Sequence, residues 1–190
     1  MTTTYIEDQT FEKQDYSLEE LSKGEYDNCR FVNCSFSNSN LSDIIFMECE
    51  FEQCDFSMAN VNNTAFRDVK FTNCKMLGVA FNECNDLLLS VGFENCQLNL
   101  ASFHKLKLKA TKFINCNLLE VDFSEADLTS SQFAQCDLLR AAFEYTNLEK
   151  ADLRSSFNYS INPEINKIKR AKFSLQGVIG LLEQYDILVE

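Results

Sequence analysis

The sequence predicts an all-β solenoid with four short sides per turn, and three observations support this prediction. Six cysteines recur along the chain at spacings of 20, 20, 22, 20 and 20 residues. Large apolar residues recur at every fifth position over most of the chain, and a small or thiol residue lies two positions before each. The 190 residues include one Pro and five Gly, which is too few chain breakers for a series of tight hairpins.

The period of five determines the type of repeat. An amphipathic helix repeats every 3.6 residues and a half-buried strand every two, so neither fits. Each five-residue unit is therefore one side of a coil, with its apolar centre and its small residue both turned inward. Four units close one turn because the cysteines stack 20 residues apart, whereas a three-sided coil would place Cys54 over Val69. A stack of such coils is a solenoid.

Sorting the apolar centres by side gives four stacks, which we call faces 1 to 4. Face 1 carries Phe31, Phe51, Phe71, Phe93, Phe113 and Phe133. Face 2 begins with the cysteine ladder, which consists of Cys34, Cys54, Cys74, Cys96, Cys116 and Cys136. Face 3 carries Leu41, Val61, Phe81, Phe103, Phe123 and Phe143, and face 4 carries Phe46, Phe66, Leu108, Leu128 and Leu148. With a β-type coil spacing of ~4.8 Å, about eight coils form a filled rod roughly 40 Å long.

Several five-residue units resemble a known signature. Residues 126–130 (Ala-Asp-Leu-Thr-Ser) and 151–155 (Ala-Asp-Leu-Arg-Ser) are similar to the Ala-(Asp/Asn)-Leu-x-x signature of pentapeptide repeat proteins. The aromatic and aliphatic forms at residues 33–36 and 115–118 also resemble it, and the similarity covers about residues 11 to 173. The resemblance implies a right-handed quadrilateral parallel β-helix.

We expect three segments. Residues 1–25 are predicted to form an N-terminal cap and the first degenerate repeats, with Tyr5 and Ile6 tucked over the first coil. Residues 26–173 are the repeat β-helix, in which residues 155–166 form an irregular last coil. Residues 174–190 are a short C-terminal helix and tail.

The repeat is interrupted once inside the β-helix. Its frame shifts by two residues between Phe81 and Phe93, which places a small insertion near residues 85–88. An outward bulge accommodates the extra residues. Two interpretations remain open: a tolerated insertion, or a contact for a partner with Leu87 at its tip.

After Phe173 the apolar residues recur at the spacing of a helix instead of every fifth position, and Ser174 is the candidate N-cap. A short amphipathic helix there would close the open end of the solenoid, as terminal repeats must. Its apolar residues are also a candidate homodimer interface; the alternative is a purely intramolecular cap. The interface residues are Leu175, Val178, Ile179, Leu182 and Tyr185.

The charge is acidic and unevenly distributed. The formal net charge is -12, and the first 95 residues hold 17 of the 29 acidic residues but 6 of the 17 basic ones. This charge disfavours direct binding to nucleic acid. The candidate acidic partner surface consists of Glu48, Glu50, Glu52 and Asp55. Two basic patches follow, one of Lys105, Lys107, Lys109 and Lys112, and one of Lys167, Lys169, Arg170 and Lys172.

Catalytic, metal and cofactor sites are not expected. The chain has no Cys-x-x-Cys motif, and cysteines stacked one per coil do not converge on one point as metal ligands must. His104 is the only histidine, and it follows an inward Phe103, so it should face solvent rather than a cysteine. The polar start of the chain and the lack of a long apolar run predict a cytoplasmic protein without a membrane span, whose thiols stay reduced.

Two functions are compatible with these features. The first is a non-enzymatic protein-interaction scaffold, a homodimer whose other partner is unknown. The alternative comes from the resemblance, since the Qnr-type quinolone-resistance group of the family consists of dimeric rods that imitate DNA and act on DNA gyrase and topoisomerase IV. DNA carries one negative charge per ~1.7 Å of helix axis, so a rod of roughly 40 Å would need roughly 24 negative charges to imitate it fully. The net charge of -12 is about half of that number. A third interpretation, an enzyme with an unrecognised surface site, has no motif to support it.

Overall fold

The computed structural model describes residues 4–188, and its strands form two parallel sheets on two of the four faces. Face 1 carries a seven-stranded sheet of β2 (Thr10–Glu12), β4 (Arg30–Val32), β6 (Glu50–Glu52), β8 (Val69–Thr72), β9 (Val91–Glu94), β10 (Lys112–Ile114) and β11 (Gln132–Ala134). Face 4 carries a four-stranded sheet of β1 (Thr4–Glu7), β3 (Gly24–Asp27), β5 (Ile45–Met47) and β7 (Ala65–Arg67).

The strand register confirms the predicted four-sided coil. Each strand pairs in parallel with the strand one coil away, so Phe31 pairs with Phe51 and Phe51 pairs with Phe71. Across the insertion the partner lies 22 residues on, and Phe71 pairs with Phe93. Faces 2 and 3 contain isolated parallel bridges between coils instead of continuous strands.

The corners between faces adopt the left-handed backbone conformation. Asn33, Asn73, Asn95 and Asn115 all have φ between 51° and 55°. Asparagine tolerates this region better than most residues with a Cβ atom. The amide of Asn115 donates to Oδ1 of Asn95 at 2.7 Å, which links consecutive coils on the outside.

Stacked aromatic rings fill the interior. From Phe31 to Phe133 the consecutive rings of face 1 lie 4.8 to 5.3 Å apart, with their planes within 12° of parallel. Rings on adjoining faces meet edge to face, as Phe51 and Phe56 do at 5.0 Å and 81°. Both geometries are favourable for aromatic pairs. The core is therefore a continuous column without a channel.

The N-terminal segment forms a further coil. Strand β1 pairs with β3, and Phe11 stacks on Phe31 with 4.7 Å between ring centroids. Ile6 is half-buried against the core. We expected Tyr5 to tuck over the first coil, but that expectation is wrong: its side chain is 54% exposed and its hydroxyl donates to Asp27 at 2.8 Å. Tyr5 occupies an outward position of strand β1, so it follows the alternation of that strand.

The insertion lies on face 4, after a 3₁₀ turn at Phe81–Glu83. Cys84 is buried, whereas Leu87 and Leu88 are 63% and 70% exposed and form an outward bulge. Leu89 is half-buried against the core and restores the inward pattern before β9.

The C-terminal segment consists of two 3₁₀ turns, Gly177–Leu181 and Glu183–Tyr185, instead of one regular helix. Ser174 Oγ accepts a hydrogen bond from the Gly177 N–H at 2.9 Å. The Ile161 N–H donates to the Gly180 carbonyl at 2.9 Å, which attaches the segment to the last coil. Residue 189 of the predicted tail lies outside the described residues. Within residues 4–188, no helix has the length and apolarity needed to cross a membrane.

Candidate interaction surfaces

The cysteine ladder lies in the core. All nine cysteines are buried and free, including the six of the ladder. Each ladder thiol from Cys54 to Cys136 donates to the carbonyl of the face 1 phenylalanine in the preceding coil, at 3.3 to 3.6 Å. Thr64 uses the same slot and donates to the Leu41 carbonyl at 2.8 Å. The inward small position therefore accommodates compact side chains, and those with a donor, such as Cys and Thr, bond a carbonyl of the preceding coil.

Burial makes the three thiols outside the ladder poor nucleophiles. It raises the pKa of Cys49 and of Cys84 from 9.0 to about 12, and it also raises the pKa of Cys29. A thiol reacts as its thiolate, so a raised pKa suppresses reactivity at neutral pH. Among the described residues, no group of three or more His, Cys, Asp or Glu side chains is placed to hold a metal ion.

One surface depression, of about 310 Å³, lies on face 1 around Gly92. It exists because Gly92 interrupts a column of side chains between Lys70 and Lys112. The polar side chains at its rim are already engaged, since Lys70 pairs with Glu50 at 3.3 Å and the Ser90 hydroxyl donates to Asp68 at 2.7 Å.

The predicted acidic surface is largely neutralised by bases from neighbouring coils. Glu50 pairs with Lys70 at 3.3 Å, and Asp55 with Lys75 at 3.7 Å. Glu52 forms an ion pair with Arg30. These partners lie about 20 residues away in sequence and one coil away in space, which is why the local sequence shows an acidic cluster and the structure does not. Each exposed pair adds little stability, but together the pairs cancel the local field.

The predicted dimer surface is exposed at the C-terminal end. Leu175 is 84% exposed, and Val178, Ile179 and Tyr185 are between 37% and 47% exposed. Leu182 is half-buried. Leu181, which the helical pattern did not single out, is the residue that packs inward, because 3₁₀ turns have three residues per turn and shift the phase of the segment.

Two glycines hold this segment close to the last coil. A Cβ atom on Gly177 would overlap the hydroxyl of Tyr159, and one on Gly180 would overlap the Tyr159 carbonyl oxygen. The close approach that these glycines permit is therefore within one chain. Because the glycine side of the segment packs on Tyr159, the exposed apolar residues lie on its outer side.

A second apolar surface was missed in the sequence. We call it the apolar edge, and it follows the corner between faces 2 and 3. The stacking is direct, since the Met58 N–H donates to the Leu77 carbonyl and the Leu100 N–H to the Leu119 carbonyl, each at 2.9 Å. The signal was available, because these residues occupy outward positions of the repeat that are elsewhere mostly polar. The apolar edge consists of Met58, Leu77, Leu100, Leu119 and Leu139.

Two residues of the apolar edge lie at corners of the coil. Met58 and Leu100 have φ of 59° and 62°, which is the conformation that the corners of the other coils also adopt. Both are exposed, at 60% and 55%, so core packing does not explain why these corner residues are apolar. An exposed apolar patch is typical of an interaction surface.

Comparison with known proteins identifies the family. The profile of the family described as "Pentapeptide repeat region" matches residues 25–87, 44–115 and 87–174, which is most of the chain. The chain belongs to the pentapeptide repeat family. A comparison with curated proteins finds no significant match to this pentapeptide repeat protein.

Solved structures with the same fold include two pentapeptide repeat proteins of named role. A trypsin-treated variant of QnrB1, a plasmid-mediated fluoroquinolone resistance protein, is 19% identical, with a TM-score of 0.64 over 99% of this chain and 98% of that one. HetL, from the cyanobacterium Nostoc sp. strain PCC 7120 and involved in heterocyst differentiation regulation, is 18% identical, with a TM-score of 0.58 over 90% and 88%. At these identities the likeness establishes the fold alone.

Proposed function

We propose that this pentapeptide repeat protein is a non-enzymatic protein-binding scaffold that forms a homodimer through its C-terminal end. The observation that carries the proposal is the exposed apolar surface of the C-terminal segment. Leu188 is 95% exposed and Leu175 is 84% exposed, beside four further apolar side chains that are 37% to 55% exposed. Contiguous apolar surface of this kind marks interfaces in soluble proteins.

The segment is suited to dimerisation because the last coil holds it in place. Its inner side is anchored by Leu181 and by the hydrogen bond between Ile161 and Gly180. The outer side is therefore presented in a fixed geometry, which lowers the entropic cost of association. Two copies related by a two-fold axis would bury the same residues on each copy.

The apolar edge provides a second surface for a different protein. It runs through five consecutive coils, which corresponds to about 20 Å at the β spacing. The dimer would present this edge twice, once on each rod. A scaffold with two identical edges binds a partner with two sites more tightly than one edge does.

Sedimentation equilibrium of matched variants tests the dimer. We expect the double variant Val178→Glu, Ile179→Glu to lose the C-terminal dimer and to associate far more weakly than the native protein, because it places charge on the apolar outer side without touching the anchoring residue Leu181. The control is Leu77→Glu on the apolar edge, which should dimerise as the native protein does. A double variant that dimerises as tightly as the native protein would place the interface elsewhere.

The alternative function is DNA mimicry directed at gyrase and topoisomerase IV. In its favour are the acidic first half of the chain and a fold shared with a fluoroquinolone resistance protein. The ion pairs of Glu50, Glu52 and Asp55 count against it, because they divide the acidic surface.

Supercoiling and relaxation assays separate the two functions. The scaffold proposal predicts that neither enzyme is inhibited, or protected from a quinolone, when this protein is titrated. Inhibition or protection at micromolar concentrations or below would favour mimicry. In that case the acidic residues of the first coils would be the ones to mutate.

A further inference from the structure

Face 4 carries opposite charges at its two ends. Before the insertion, its outward residues include one base, Arg67, and six acids: Glu7, Asp8, Glu25, Asp27, Glu48 and Asp68. After the insertion they include two acids, Asp127 and Glu149, and six bases: Lys107, Lys109, Lys150, Lys167, Lys169 and Arg170. We call these the acidic half and the basic half of face 4.

Few of the charges on face 4 form ion pairs within the chain. Among the ion pairs of residues 4–188, only Lys109–Asp127, at 3.3 Å, lies on this face. Three of its acids, Asp8, Asp27 and Asp68, instead accept hydrogen bonds from Asn28, Tyr5 and Ser90. The remaining acids of the acidic half, Glu7, Glu25 and Glu48, and the bases of the basic half other than Lys109 are therefore available to an external partner.

The insertion lies between the two halves. Leu87 and Leu88 project from it and are 63% and 70% exposed. The backbone of Leu88 has φ of 63°, the conformation that the corners of the other coils adopt. An exposed apolar bulge thus separates an acidic half from a basic half on one face.

We propose that face 4 is a self-complementary docking surface for a second copy of this chain, lying antiparallel with the two-fold axis at the insertion. This arrangement places residues 167–170 of one copy opposite residues 5–8 of the other, and residues 147–150 opposite residues 25–28. The projecting leucines meet their own copies at the axis. A two-fold contact requires such self-complementarity, and a parallel arrangement would oppose like charges instead.

The contact is small, so the association is weak. Nine coils at ~4.8 Å and a side roughly 13 Å wide give about 500 Å² per copy. Stable interfaces bury about 800 Å² per partner. The net charge of -12 on each chain also opposes association at long range. Salt screens this repulsion as well as the local attraction, so charge exchange between variants is a sharper test than a salt titration.

A charge-exchange experiment tests the electrostatic part of the proposal. The first variant carries Lys167→Glu, Lys169→Glu and Arg170→Glu; the second carries Glu7→Lys, Asp8→Lys and Glu25→Lys. Both are made in the Val178→Glu, Ile179→Glu background, which removes the C-terminal contact, so that the association measured is that of face 4. Each variant alone opposes like charges in both halves of the dimer, so we expect its self-association to weaken roughly tenfold or more. An equimolar mixture opposes unlike charges in both halves, so the proposal predicts heterodimers. Self-association unchanged in each variant, or a mixture that forms no heterodimer, would overturn the proposal.

Disulfide trapping tests the position of the axis. The native cysteines are buried, so Leu88→Cys introduces a thiol that is exposed, next to its own copy in the proposed dimer. Mild oxidation should link this variant into a covalent dimer far faster than the control Asn62→Cys, which has its thiol on face 3. Equal linking of the two variants would contradict the proposed axis.

Separate variants test the two proposed interfaces, the C-terminal contact and the face 4 contact. The variant Val178→Glu, Ile179→Glu removes the C-terminal contact and leaves face 4 intact, so its Leu88→Cys derivative should still be trapped. Loss of trapping only in the charge-exchanged variants would assign the contact to face 4. A C-terminal dimer without trapping at residue 88 would leave the scaffold proposal standing and refute this one.

Discussion

At the residue scale, the inward small position of the repeat explains why cysteine is so frequent. The thiol is compact enough to leave room for the stacked rings, and its Sγ reaches a carbonyl of the preceding coil, as Cys74 does with Phe51 at 3.4 Å. Thr146 and Ser156 make the same contact, at 2.9 and 2.6 Å, with Phe123 and Phe133. The slot is therefore defined by volume and not by thiol chemistry, since buried Ala101 and Ala126 also occupy it.

Substitutions of Cys74 test this explanation. Cys74→Phe should lower the free energy of unfolding by ~1–3 kcal/mol, because the site is 2% exposed and has no space for a ring. Cys74→Ser keeps the size and the donor, and we expect a loss below about 1 kcal/mol. Thermal and chemical unfolding measure both. An unchanged melting temperature for Cys74→Phe would show that this position does not face the core.

The buried thiols also predict a dependence of stability on alkaline pH. Burial raises the pKa of Cys49 from 9.0 to about 12, so the fold favours the neutral thiol. Its contribution to stability is complete below pH 9 and is lost as the pH rises toward 12. The melting temperature should therefore fall across this window, and less steeply in Cys49→Ser, which has no thiol titrating at this position. Parallel curves for the two proteins would contradict the assignment.

At the element scale, periodicity predicted most of the fold, and the reasons for its success and failure are physical. The register of Phe31 over Phe51 follows from a spacing of 20, because neighbouring coils make the same contacts. The pairing of Glu50 with Lys70 follows from the same spacing but was missed, because charges were compared only along the sequence. The inward position of Leu181 was not predictable in this way, since a short apolar segment does not reveal whether it forms α-helical or 3₁₀ turns.

The candidate surfaces were predicted less completely than the fold. The C-terminal apolar residues were identified because their period departs from five. The apolar edge was not identified, because Leu77 and Leu139 lie beside the inward residues Met76 and Leu138 and become distinct only when each position is assigned to a side of the coil. Tyr5 was misplaced because the chain end was expected to act as a cap, whereas it continues the coil.

The attachment of the C-terminal segment depends on Gly180. A Cβ atom there would overlap the backbone oxygen of Tyr159, which cannot move away as a flexible side chain can. We expect Gly180→Ala to lower stability by ~1–3 kcal/mol and to make residues 174–188 more susceptible to proteolysis. Gly92→Ala is the matched control, because nothing lies within 4 Å of the added atom. Equal behaviour of the two variants would mean that the segment is not packed closely on Tyr159.

At the scale of the whole molecule, the protein is a rod whose interior is fully occupied and whose distinctive features are on its surface. Stacked rings and buried thiols fill the coils of residues 4–188. The exposed apolar end, the apolar edge and the divided charges of face 4 are the surface features on which the proposed binding function rests.

The central claim is that two rods join at their C-terminal ends, and small-angle X-ray scattering of the intact protein tests it most directly. Two rods of roughly 40 Å joined end to end give a particle with the mass of a dimer and a maximum dimension of roughly 90 Å. We predict this result, together with a return to the mass and length of one rod in the Val178→Glu, Ile179→Glu variant. A monomer at all concentrations, or a dimer no longer than about 50 Å, would contradict the claim.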